Sequence, residues 1–217
     1  MDGQEILTGD FRQLSEDIAD NSVDMVLTDP PYAEKFLPLW ADLGRVAKRL
    51  LRPSHLLVAY TGQMYLPQVI QMLGEHLLWY WSIALLQPGA NSRVKARAIF
   101  QTHKVLLVYQ KPPFRRWGKW GPDTIKSPSP SKKYHPWGQS VEPARELIER
   151  FSKPGDLVLD LMTGGGTVGV ACIQTGRRFT GFEIDGKMAQ IARRRMATAQ
   201  LPLPIPALAE QLAFSGT

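Results

Sequence analysis

A chain of 217 residues, 44% hydrophobic and 21% charged, can bury a substantial core, which excludes a fibrous or compositionally disordered protein. One cysteine, Cys172, excludes an intrachain disulfide; the absence of a signal-peptide pattern or of an apolar run near the ~20 residues of a membrane span makes a cytoplasmic, nucleoid-associated protein the expectation. The net charge of +6 is uneven: residues 86–140 hold 11 Lys/Arg and one acid, Asp123, whereas the remainder holds 15 Lys/Arg and 19 acids. A near-neutral body with one strongly basic segment implies a polyanion-binding surface.

In chain order, residues 5–10 read as a short strand and 11–18 as a short helix or turn. The apolar run Val23-Asp24-Met25-Val26-Leu27-Thr28 then reads as a buried strand that ends abruptly at Asp29-Pro30-Pro31-Tyr32. Two consecutive prolines fix φ near −65° and donate no N–H, so the Asp29 and Pro30 carbonyls are held rigidly outward. A carboxylate, rigid carbonyl acceptors and an aromatic ring suit a planar group with an exocyclic amine: the amine donates to Asp29 and a carbonyl while Tyr32 stacks on the ring. Apolar residues at helical spacing predict a helix over 36–51, which Pro53 ends. A buried strand over 56–60, a helix over 63–73 and an aromatic-rich strand over 77–85 follow. Residues 87–97 form a polar basic loop, and 104–109 a strand antiparallel to the previous one.

Residues 111–139 carry Trp117, Trp120, Tyr134 and Trp137 among Arg115, Arg116, Lys119, Lys132 and Lys133, with many prolines and no regular period. Cations interleaved with aromatics suit phosphate contact and base stacking, so Arg93, Lys95, Arg97, Arg115, Arg116 and Lys119 are the candidate nucleic-acid contacts. After an amphipathic helix over 141–151, the strand Leu157-Val158-Leu159 runs into Asp160-Leu161-Met162-Thr163-Gly164-Gly165-Gly166-Thr167, followed by a helix to Thr175. Strand, glycine turn and helix make a nucleotide-binding loop, because glycine lets the backbone approach a ligand at a helix N-terminus. Nineteen residues past Gly164 a second strand ends in Glu183, an acid positioned to accept from ribose hydroxyls. Residues 186–200 read as a helix whose Arg193-Arg194-Arg195 run is a solvated face. His55, His76, His103 and His135 show no ligand spacing, so no metal is expected.

The two motifs together resemble those of the S-adenosylmethionine-dependent amino-group DNA methyltransferases, in the permuted order that sets the catalytic motif ahead of the cofactor loop. The family's catalytic pattern is met completely by Asp29, Pro30, Pro31 and Tyr32. Its cofactor loop is met at Asp160, Gly164, Gly166 and Thr167, with Leu161 and Met162 replacing Pro and Phe. The resemblance covers about residues 5–32 and 140–196. It implies that Asp10, Asp160, Met162, Thr163, Gly164, Gly166, Thr167, Glu183 and Ile184 bind S-adenosylmethionine, with Gln139 or Ser140 contacting its carboxylate. The expected fold is α/β: a Rossmann-like doubly wound sheet, mostly parallel with a terminal antiparallel hairpin. It forms a single domain over 1–217 with a basic target-recognition insertion at about 86–140. The expected reaction is methyl transfer to the N6 amine of an adenine flipped out of double-stranded DNA, and because the insertion is short, limited sequence recognition or a homodimer is expected. The rivals are N4-cytosine methylation, which an acid at the first motif position disfavours, and an RNA or protein amine methyltransferase. An NAD-dependent oxidoreductase leaves Asp29–Tyr32 unused, and a non-enzymatic DNA-binding protein with a degenerate site has no reason to keep both motifs.

Overall fold

The computed structural model describes residues 3–87, 92–117, 120–127 and 140–199; Lys119, Gln139 and the tail from 201 lie outside them. The fold is built on an eight-stranded sheet in the order β1-β10-β9-β2-β3-β7-β4-β8. Its strands are β1 (Gln4–Thr8), β2 (Val23–Thr28), β3 (Leu51–Thr61), β4 (Leu78–Leu86), β7 (His103–Gln110), β8 (Thr124–Lys126), β9 (Leu157–Asp160) and β10 (Arg178–Glu183). β7 pairs antiparallel with both β3 and β4, and every other pairing in this sheet is parallel. A separate two-stranded ribbon, β5 (Ser92–Val94) and β6 (Ile99–Gln101), stands between β4 and β7. This is a Rossmann-like doubly wound sheet with the expected antiparallel pair, closed at the edge by the short parallel β8.

Side chains of successive strand residues point to opposite faces, and both faces are apolar, so the sheet is covered twice. Leu57, Ala59, Leu107 and Tyr109 pack in one core with Trp40, Leu43 and Leu50 of α2 (Leu37–Leu50) and Val69 and Leu73 of α3 (Leu66–Gly74), beside Phe11 of α1 (Phe11–Leu14). Leu56, Val58, Leu106 and Val108 face the other core. There they meet Leu147 and Phe151 of α4 (Val141–Phe151), Val168 and Cys172 of α5 (Thr167–Thr175), and Ala189 and Ala192 of α6 (Gly186–Ala197). Among the described residues no helix is long and apolar enough to cross a membrane.

The helix expected over 36–51 is found at Leu37–Leu50, but the strand expected over 56–60 begins at once, at Leu51, and includes Pro53. Proline is tolerated there because the β2–β3 register jumps from Val23↔Leu51 to Met25↔Leu56, leaving Pro53 outside the paired ladder. The basic segment also gains strands the sequence does not announce. β5, β6 and β8 are three residues each, too short for a period to emerge.

Gly181 in β10 lies where sheet and glycine loop touch: a Cβ there would stand 2.6 Å from Cζ of Phe179 and would also meet the Thr163 hydroxyl. Gly181→Ala should therefore destabilise the protein by about 1–3 kcal/mol through overpacking. Urea unfolding followed by circular dichroism should show a lower midpoint with an unchanged slope.

Candidate active site

β2 and β9 pair in parallel, with Met25 opposite Val158 and Val26 opposite Leu159. From β9 the chain passes through α5 to β10 on one side. From β2 it passes through α2 to β3 on the other, so strand order reverses at this pair. Open α/β sheets bind ligands at such a point, outside the carboxyl ends of the strands. Asp29 leaves β2 and the glycine loop leaves β9 side by side, around one cleft of about 660 Å³. Asp10, Phe11, Asp29, Phe36, Met162, Gly164, Glu183 and Ile184 line it, and a volume of this order suits a small-molecule ligand.

Glu183 organises the cofactor side. Its Oε2 accepts from the Gly164 N–H at 2.7 Å and its Oε1 from the Asp185 N–H at 2.8 Å, leaving lone pairs free to accept from hydroxyls. Gly164 and Gly166 have φ of +52° and +79°, a region side chains avoid. Arg195, from the run read as a solvated face, donates to the Gly165 carbonyl at 3.1 Å and to Oγ1 of Thr167 at 3.0 Å. Arg193 likewise donates to the Ile6 carbonyl at 2.8 Å, so α6 is fastened to β1 and to the loop. Asp10 caps α1 by accepting from the Arg12 N–H at 2.9 Å, and its hydrogen bond to the Arg12 side chain lowers its pKa. Of the expected cofactor residues, Asp10, Met162, Gly164, Glu183 and Ile184 reach the cleft. Asp160, Thr163, Gly166 and Thr167 are not among its lining residues.

Three carboxylates, Asp10, Asp29 and Glu183, and two cations, Arg12 and Lys35, line the cleft beside aromatic and aliphatic walls, and Asp10 is paired to Arg12. Glu183 at the strand end, among apolar walls, fits the ribose and ring of an adenosine-bearing cofactor, as S-adenosylmethionine is.

On the catalytic side the Tyr32 hydroxyl donates to Oδ1 of Asp29. The Lys104 ammonium lies 3.8 Å from Oδ2 of Asp29 and 3.4 Å from the Tyr32 oxygen, above the tyrosine ring. Burial, then the adjacent Asp29 carboxylate, raises the Tyr32 pKa, so Tyr32 acts here as a neutral donor. Gly62, just past β3, leaves room for this ring: a Cβ there would stand 3.1 Å from Cβ of Tyr32. Sequence reading missed Lys104 and Gly62, since neither belongs to a motif and only the sheet brings them to Asp29. Pro30 is buried and Pro31 half-buried, which holds the turn against the sheet.

Comparison with known proteins agrees with this geometry. A family model described as DNA methylase, of the N6/N4 amino class, matches residues 115–194. Over this stretch the chain is similar to the amino-group DNA methyltransferases. It is 22% identical to the type II methyltransferase M.HpaI of Haemophilus parainfluenzae over 89% of this chain and 74% of that protein. The crystal structure of M1.HpyAVI in complex with SAM superposes with a TM-score of 0.74 and 25% identity, covering 88% of this chain and 98% of that one. The cytosine-N4-specific PvuII DNA methyltransferase superposes with a TM-score of 0.79 over 98% and 91% of the two chains; at 17% identity it shows the shared fold alone.

The candidate nucleic-acid contacts do not form one surface. The ribbon that carries Arg93, Lys95 and Arg97 lies between Leu86 of β4 and His103 of β7, at the same edge as Thr61 of β3 and hence as the tetrapeptide. β7 then crosses the sheet. Arg115 is tied to its far end, accepting from Nε2 of Gln110 at 2.8 Å through its carbonyl and donating to Oε1 at 2.9 Å through its N–H. Eight residues of strand place Arg115 and Arg116 about 25 Å from the catalytic edge. The sequence reading had joined the two groups because they are close in the chain; the antiparallel strand between them sends them to opposite edges.

Beneath the glycine loop Asp160 is buried, its Oδ1 accepting from the Met162 N–H at 3.1 Å. Burial pushes its pKa up to about 7; the Thr28 hydroxyl and then the Met162 N–H oppose that shift, and Asp29 and Glu183 add to it. Between the unfolded value of ~3.9 and about 7 the folded state holds the extra proton, so this contribution is present below pH ~4 and lost as pH rises to about 7. Asp160→Asn removes that loss. Its stability relative to wild type should therefore rise from about pH 5 to about pH 8, by up to about 3 kcal/mol. Thermal melts of the cofactor-free protein at several pH values measure this; a constant gap would show that Asp160 does not titrate in this range.

Proposed function

We propose that this methyltransferase methylates the N6 amine of an adenine flipped out of double-stranded DNA. The observation that carries the reading is the single cleft in which Asp29 faces Glu183 and the glycine loop. S-adenosylmethionine supplies a methyl group already activated on a sulfonium. The protein's own part is to bind, orient and desolvate. Glu183 accepts from the ribose hydroxyls, charge-assisted bonds worth roughly 1.5–3 kcal/mol. Tyr32 leaves Asp29 and stacks on the incoming base. Asp29 Oδ1, thus vacated, accepts one N–H of the amine and the Pro30 carbonyl accepts from the same nitrogen. Both bonds draw the nitrogen toward a tetrahedral geometry, so its lone pair, otherwise delocalised into the ring, faces the reacting methyl. Holding the two reactants in line supplies much of the rate.

The acid at the first motif position supports adenine over cytosine. The reading treats the chain as one catalytic domain, with the ribbon part of the basic insertion at about 86–140 supplying the DNA contacts. Mass spectrometry of nucleosides after incubation of duplex DNA with isotopically labelled cofactor tests it. N6-methyladenine is expected; N4-methylcytosine would reassign the base, and unmodified DNA would overturn the proposal.

Asp29→Ala should abolish methylation while calorimetry finds cofactor binding little changed. More than about a tenth of the wild-type rate remaining would remove Asp29 from the central role, because tenfold is only ~1.4 kcal/mol of barrier. Replacing Arg93, Lys95 and Arg97 together with Gln should flatten the salt dependence of DNA affinity by up to about 2.7, at ~0.9 per phosphate contact. Replacing Arg115 and Arg116 should leave it nearly unaltered, given their position across the sheet. Fluorescence anisotropy over a salt series reads both; equal slopes for the two variants would contradict this division.

A further inference from the structure

The β5–β6 ribbon combines features that phosphate contact alone does not require. Its register is Ser92↔Gln101, Arg93↔Phe100 and Val94↔Ile99, and a 3-10 turn over Lys95–Arg97 joins the strands through Ala98 in the left-handed region, φ +51°. Among the described residues it is paired with no other strand, and an isolated hairpin has little stability of its own. Yet it presents Ile99 and Phe100 to solvent, 57% and 62% exposed, where nothing is gained by their being apolar. The Arg93 guanidinium sits over the Phe100 ring at 5.5 Å. With Lys95 and Arg97 the ribbon carries three cations and no acid.

The base of the ribbon is fixed to the catalytic edge. Nε2 of Gln101 donates to the His103 carbonyl at 3.0 Å, Nε2 of Gln63 lies 3.1 Å from the His103 ring, and the next residue is Lys104, beside Asp29. On the other flank the Arg97 charge is felt by Tyr65, whose hydroxyl donates to Glu34 at 3.1 Å, two residues beyond Tyr32. Four extended residues separate Phe100 from Lys104, at most about 14 Å of chain.

We infer that the β5–β6 ribbon enters a DNA groove at the target and that Phe100 wedges into the base stack the target base vacates. The inference rests on the reading of this enzyme as a DNA-base methyltransferase. A two-stranded ribbon fits a major groove, and exposed apolar side chains between cations are the form of residue that unstacks a base step. The flipped base needs such help because unstacking is unfavourable by a few kcal/mol, and Asp29 can engage the amine only outside the helix. Charge selects the partner: three cations and no acid suit a polyanion, and a second copy of the same ribbon would be repelled.

Full-length Phe100→Ala and Phe100→Leu test this on two probes. The first is a duplex with one unpaired 2-aminopurine at its centre, whose fluorescence rises on leaving the stack. The second is a duplex bearing the methylated site, with the target base either paired or opposite an abasic nucleotide. Wild type should raise the 2-aminopurine signal, Phe100→Ala should lose most of that rise, and Phe100→Leu should regain it. In turnover Phe100→Ala should lose about tenfold or more on the paired target and about threefold or less opposite the abasic nucleotide, since no partner must then be broken. Unchanged cofactor affinity by calorimetry establishes that the variants are folded.

Equal losses on both substrates, or an unimpaired Phe100→Ala, would overturn the wedge. So would a change in sedimentation mass with no change in fluorescence, which would make the ribbon a contact between copies. A wild-type chain that moves 2-aminopurine through Phe100 yet methylates no DNA would overturn the methyltransferase reading and leave the wedge in place. Methylation with Phe100→Ala at full rate would do the reverse.

Discussion

The parallel pairing of β2 with β9 is the constraint on which the site depends. It is held by ladder bonds and by a buried side chain: Oδ2 of Asp24 accepts from the Leu157 N–H at 2.8 Å, at the start of β9. A carboxylate inside a sheet is unfavourable unless it is fully engaged. Here Arg52 lies 3.2 Å from the other oxygen. A slip of one residue along this pair would leave both Asp24 and Leu157 unsatisfied and exchange the side chains of β2 between the two cores, Met25 and Leu27 on one face for Val23 and Val26 on the other. The register that satisfies the interior is therefore also the one that brings the Asp29 turn level with the glycine loop.

The remaining fastenings serve the same edge. Glu183 ties the loop after β9 to the end of β10, and Arg195 and Arg193 tie α6 to that loop and to β1. Neither arginine is a spare surface charge, though three in a row on a polar helix face give no sign of it. On the far side β7 runs antiparallel and delivers Lys104 to Asp29 from a segment no catalytic motif includes.

What the sequence disclosed and what it hid follow from how local each signal is. Val23–Thr28 running into Asp29 and two prolines, or Leu157–Leu159 running into glycines, are contiguous patterns in which local geometry and chemistry coincide. The elements around them were legible for that reason, and α4 matched its expected limits of 141–151. The start of β3 was placed late because proline was read as a break between helix and strand, whereas the irregular β2–β3 register gives Pro53 a place in the strand. The division of the basic residues was hidden because it depends on the direction of one strand, and charge counts carry no direction. Lys104 and Gly62 were hidden because their importance lies in neighbours far away in the chain.

The hydrogen bond from Tyr32 to Asp29 gives the resting site a property of its own. The carboxylate that is to receive an amine does not wait as a bare anion: a neutral hydroxyl already occupies the acceptor position, and Lys104 balances the charge from the other side. In the proposed reaction, substrate capture at this oxygen is then an exchange of one donor for another, at a carboxylate that folding has already partly desolvated. In that proposed reaction the ring that surrenders the bond is the same one that stacks on the newcomer. Opening the acceptor and gripping the base thus become one movement of a single side chain, and a molecule with a donor but no flat face to hold would restore only half of what it displaces.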